Sequence, residues 1–177
     1  PFGDVPEEVL ANLAAGLTDV FGLTVRREPA FPDPSYAFDE KAGQYSCTPI
    51  MTELLRRRPM DAERVIGVTT HDLFIPMLSF VFGLAQLNGP VCVISTARLH
   101  QSFYRLPENR DLLHHRTLKE AVHELGHTFG LVHCEDRNCA MSLANSIQHV
   151  DHKRADLCPA CMAIFENTIT SQTMTKS

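Results

Sequence analysis

The stretch HELGHTFGLVH, residues 123–133, constrains this chain more than any other feature. His123 and His127 stand four residues apart, so on a helix they project from one face, one turn from each other. Two imidazoles so placed can meet a single zinc ion at roughly 2.0–2.1 Å per bond. Glu124 faces the same opening but is offset around the helix, where it can take a proton from a metal-bound water rather than bind the metal. Gly130 lets the chain leave the helix with positive φ and fold back, which brings His133 to the same ion. Three neutral nitrogens leave one coordination position for water, the pattern of a catalytic rather than a structural zinc. The competing reading is a pair of surface histidines beside a solvated carboxylate, and it requires five specified positions to coincide. A site completed by a later carboxylate is a second alternative, with Glu166 as its candidate, but a histidine following a glycine suits a three-histidine site better.

A second donor set follows at once: Cys134, Cys139, Cys158 and Cys161, spaced C-x4-C, then 18 residues, then C-x2-C. Two short cysteine pairs separated by a loop suit a closed tetrahedral thiolate zinc site. A redox CPAC pair and a disulfide framework compete with it. Cys47 and Cys92 lie outside the cluster, and Cys92 in the run VCVIS reads as a small core residue.

Around these motifs the chain reads as mixed helix and strand followed by helix and loop. Apolar residues recur at helical spacing over 5–21, with Gly22 as the stop. Residues 23–28 alternate like a short strand, and residues 28–38, with three prolines, read as a loop. A helix is predicted over 43–58, its C-terminal Arg56, Arg57 and Arg58 offering favourable charge to the helix end. Residues 64–70 form a buried strand, and SFVFGLAQL and PVCVIS flank Asn88-Gly89 as a hairpin. The surest helix covers 110–129, with Leu118, Ala121, Val122, Leu125 and Phe129 as its apolar stripe. A last helix of about 10–15 residues follows Cys158, ending in a frayed polar tail, TSQTMTKS. The fold class is α+β. One domain is expected over 1–177, with the sheet and the helix bearing His123 and His127 in 1–130 and a small zinc-stapled C-terminal part in 131–177.

Composition narrows the partners. At 44% hydrophobic, 177 residues can build a real core, and no apolar run is long enough to span a bilayer. A net charge of -5 argues against nucleic acid. The opening PFGDVPEEVL has neither the basic start nor the apolar core of a signal peptide, which favours the cytoplasm. A monomer acting on a peptide or protein is expected.

HELGHTFGLVHC, then Cys139-Ala140-Met141, then CPAC, resembles the archaemetzincin family of zinc metallopeptidases. The close match covers 116–161, with weaker similarity at PFGDVP, QYS, FVFGLA and STARL. The resemblance implies a metzincin-like mixed sheet. It implies a catalytic zinc on His123, His127 and His133 with Glu124 as base, and a structural zinc on the four cysteines. It also implies a methionine, here Met141, beneath the catalytic ion, and a strand upstream of PFGDVP. Sixteen residues separate Met141 from Cys158, one fewer than the family pattern. His133 and Cys134 are neighbours, so the cysteine site is expected to fix the third histidine and, through Cys139, Met141. For stabilising an oxyanion, Tyr104, His149 and Lys153 are candidates, each with an ordinary packing or surface role as the alternative. SFVFGLAQL reads either as an edge strand that binds an extended peptide or as an internal hairpin strand. The contrasting function is a non-enzymatic zinc-stabilised interaction module with a vestigial site. A zinc-ribbon nucleic-acid binder is a weaker third, opposed by the net charge.

Overall fold

The computed structural model describes residues 1–175. The first helix, α1 (Glu7–Phe21), carries Glu7 and Glu8 in its first turn, where carboxylates face the positive end of the helix dipole. Val9, Leu13, Leu17 and Phe21 recur every four residues and are buried. Gly22, at φ 64°, ends the helix by donating its N–H to the Thr18 carbonyl.

Two small sheets follow. One pairs β3 (Val65–Thr69) in parallel with β7 (Val91–Ser95), and β6 (Gly83–Ala85) antiparallel on the far side of β7. The central β7 is buried at every residue, which is why its sequence, VCVIS, does not alternate. The other sheet has the order β1-β2-β4-β5, built from Phe38–Asp39, Gln44–Ser46, Leu73–Ile75 and Leu78–Val81. Helix α2 (Cys47–Arg56) buries Ile50, Met51 and Leu54 in a core shared with Phe2, Leu73 and Val93.

Helix α3 (Arg110–Thr128) packs against α1 and the β7 side of the first sheet. A short α4 (Ile147–His152) and a long α5 (Pro159–Thr175) complete the chain. Phe165 on α5 sits with Phe21 and Phe129, ring centroids 5.0 and 4.9 Å away, so the last helix is docked on the ends of α1 and α3.

The α+β class stands, while several local expectations change. Residues 23–28 form no strand; Arg26 and Arg27 instead reach Asp61 and Glu7 as surface ion pairs. The second helix is shorter than 43–58, because Gln44–Ser46 joins β1 and β4 in the sheet. Arg56 and Arg57 both pair with Glu53 one turn back, in line with a role at the helix end. The hairpin exists, but only Gly83–Ala85 pairs with β7, while Leu78–Val81 pairs with β4 in the other sheet. Phe82 is the buried step between them. The last helix outruns its expected length and takes in Thr170–Thr175 of the supposed frayed tail; residues 176 and 177 lie outside the described residues.

Candidate metal centre and active site

Helix α3 is built to end where the site begins. Asn109 caps its start, its side chain accepting from Leu112 N at 3.0 Å. Its end is a Schellman turn: Leu131 N donates to Gly126 O, Gly130 N donates to His127 O, and Gly130 sits at φ 87°. That turn reverses the chain, so His133 comes back beside the helix it has just left. The ring centroids of His123, His127 and His133 lie 4.6, 5.3 and 5.0 Å apart. One nitrogen of each lies within 4.8 Å of the others.

Two backbone carbonyls orient the rings. His123 Nδ1 lies 2.9 Å from Ala140 O, and His127 Nδ1 lies 2.8 Å from Leu131 O. A carbonyl only accepts, so each Nδ1 carries the proton and each Nε2 keeps its lone pair. The two Nε2 atoms are 3.1 Å apart. Two nitrogens on one tetrahedral zinc at 2.0–2.1 Å would be about 3.4 Å apart, so the donor set fits that ion closely. Burial holds both histidines below their ordinary pKa, His123 most strongly, which keeps them neutral and ready to ligate.

Glu124 is buried beside this cluster, and burial, with the charge of Glu120, pushes its carboxyl up to about 8 in the metal-free chain. Gly83 at the sheet edge makes room for it: a β-carbon there would lie 2.6 Å from Glu124 Cγ and 2.8 Å from Val93 O. Met141 is fully buried under α3, and its sulfur would lie 2.3 Å from a β-carbon at Gly126. These two glycines escaped the sequence reading. A glycine inside a helix and another inside a strand were the signals of close approach.

The four cysteines also converge, with all four sulfurs within 4.8 Å of one another. Cys134 Sγ and Cys158 Sγ are 3.8 Å apart, and two thiolates on one zinc at about 2.3 Å would stand about 3.8 Å apart. None is in a disulfide. The two clusters share backbone: Cys134 N donates to Met141 O, and Ala140, whose carbonyl holds His123, follows Cys139 and donates its N–H to Asp156 O.

Cys92 is fully buried among core residues, as expected, and so is Cys47. Glu166 is exposed on α5 and belongs to neither cluster. The three oxyanion candidates fare less well. Tyr104 gives its hydroxyl to Arg98 O, His149 is exposed on α4, and Lys153 is buried against Glu120.

Residues 35–167 match the family described as Peptidase family M54. The chain belongs to that family. It is 43% identical over 162 residues to the archaemetzincin of Methanocaldococcus jannaschii, which covers 92% of this chain and 88% of the relative. The crystal structure of archaemetzincin from Methanopyrus kandleri superposes with a TM-score of 0.83 at 34% identity, covering 95% of this chain and 91% of that one. A zinc-dependent peptidase from Methanocorpusculum labreanum gives 0.84 at 29% identity, covering 93% and 97%. The archaemetzincin resemblance thus holds over nearly the whole chain, well beyond 116–161. Membership makes the protein a zinc metallopeptidase, a hydrolase acting on peptides or proteins, and decides against the non-enzymatic module. Among the described residues no helix is long and apolar enough to cross a membrane.

Proposed function

We propose that His123, His127 and His133 hold the catalytic zinc of this M54 peptidase, that Glu124 is its general base, and that the four cysteines hold a second, structural zinc. The observation that carries this reading is the pair of Nδ1-to-carbonyl bonds, which aim two lone pairs at one point beside a buried carboxylate. Zinc held there would polarise the scissile carbonyl and acidify the attacking water. Glu124 accepts the proton of that water and delivers it to the leaving amine.

The edge strand β6 supports the placement of substrate. Its outer side is unpaired among the described strands, and Gly83 within it lies against Glu124. An extended peptide added to that edge would run past the carboxylate with its main chain held by strand hydrogen bonds. The absence of a side chain at Gly83 leaves Glu124 free to reach it.

Replacing Glu124 by Ala tests the assignment. The variant is expected to keep its zinc content and fold while hydrolysis of a peptide mixture falls by about three orders of magnitude or more, typical of losing a base that acts only in the transition state. Hydrolysis at the wild-type rate would remove Glu124 from the role.

A further inference from the structure

Lys153 and Glu120 form an ion pair in the interior that the reaction described above does not use. Their side chains are 1% and 3% exposed, and Nζ lies 2.8 Å from Oε1. Burying two charges is costly, and an apolar pair of similar volume often serves stability as well or better. Stability alone is therefore a weak reason for the pair, and its location offers a stronger one.

Glu120 precedes Glu124 by four residues on α3, so the two buried carboxylates lie one turn apart on the same face. The pair therefore sets one charge of each sign in the interior a turn from Glu124. The segment that carries Lys153 is held in place by neighbouring contacts. Arg116 on the preceding turn of α3 grips Asp151 with two bonds of 2.7 Å, and Lys119 donates to the carbonyls of Val150 and Asp151. Three residues of one stretch of α3 thus fix the segment that presents Lys153. That segment continues through Arg154, which donates to Asn138 O, to Asp156, which receives Ala140 N.

We propose that Lys153 is a positioning residue: by pairing with Glu120 it cancels the charge one turn behind Glu124 and holds the Glu124 carboxylate toward the histidine cluster. The proposal rests on the reading of Glu124 as the base. Without the ammonium, a lone buried carboxylate would face Glu124 along the helix and drive it away from the cluster.

The test uses full-length, zinc-loaded protein and peptide hydrolysis counted per folded, zinc-loaded molecule. Lys153→Met is expected to lower kcat by about tenfold or more with KM changed less than about twofold, and Glu120→Gln combined with Lys153→Met to recover to within about threefold of wild type. A purely structural latch would move only the melting temperature, so a Lys153→Met variant with wild-type kcat overturns the proposal. Should that variant fail to fold, Lys153→Gln leaves the Glu120 charge equally uncancelled. It is expected to lower kcat by about tenfold with KM changed less than about twofold, and to change the visible absorption of cobalt(II) at the histidines because Glu124 no longer sits against the cluster. The reversal Glu120→Lys with Lys153→Glu, by contrast, keeps the charges cancelled and is expected to stay within about threefold of wild type. A folded Lys153→Gln variant with kcat and cobalt spectrum unchanged, or a folded reversal that loses about tenfold or more, overturns the proposal equally. Glu124→Ala, assayed in parallel, separates the failures: if it stays active, the base assignment falls; if it is inactive while Lys153→Met is fully active, only the positioning role falls.

Discussion

Gly126 stands between His123 and His127 inside α3, where glycine ordinarily weakens a helix by about 0.5–1 kcal/mol relative to alanine. Its presence there is explained by the Met141 sulfur, which occupies the space a methyl group would need. The usual sign of a Gly→Ala change should therefore reverse. Gly126→Ala is expected to destabilise by about 1–3 kcal/mol, the cost of overpacking a filled core. Urea denaturation checks this, and a stabilised variant would mean that Met141 yields without cost. Gly83 answers to the same logic on the other side of the site, where the neighbour is Glu124 itself. Neither constraint could be read from spacing alone. That the histidines and the cysteines would each converge was legible because such clusters need particular side chains at particular intervals, whereas a glycine kept for a neighbour's sulfur depends on a contact between distant parts of the chain.

At the scale of elements, α3 and the turn after it carry the site. The apolar stripe and the glycine stop made this helix legible to within a residue, because both its packing face and its end are written locally. The strands were less so. Residues 23–28 have β-like alternation but find no partner, and Gln44–Ser46 sits in a stretch that reads as helix yet pairs with two strands. Pairing is decided by what lies alongside, which the sequence does not state. The segment 134–141 joins the two donor clusters, since Cys134 N binds Met141 O and Ala140 O orients His123. Disabling the cysteine site should consequently loosen the histidine site. Cys158→Ser is expected to lose one zinc per chain outright and to weaken retention of the other by about tenfold or more under mild chelation, the effect typical of losing an outer-shell support. Normal content of both metals in that variant would show the clusters to be independent.

Across the whole molecule, the buried titrating groups set an opposed pH dependence in the metal-free protein. Glu124 is raised to about 8 from an ordinary 4.5, so the folded state binds the extra proton between those values and stability rises as pH falls from 8. His123 and His127 are lowered from 6.5, so below 6.5 the unfolded state binds more protons and stability falls. Thermal melts of the metal-stripped chain between pH 8 and 5 should therefore pass through a maximum near 6.5. Glu124→Gln should remove the alkaline limb and leave the acid one; a monotonic wild-type curve would contradict this balance. The architecture that brings these groups together, with α3 laid along β7 and the last helix docked by Phe165, follows the archaemetzincin fold of its relatives.

The central claim concerns one point in space, where three imidazole nitrogens meet and leave room for a reactant. An anomalous difference map of the zinc-loaded crystal, collected at the zinc edge, tests it most directly. Two peaks per chain are expected. One should lie about 2.0–2.1 Å from a nitrogen of His123, His127 and His133 with no fourth protein ligand, the other among the four sulfurs at about 2.3 Å. A peak at the histidines with His133 turned away, or with a fourth protein atom bound to it, would contradict the account.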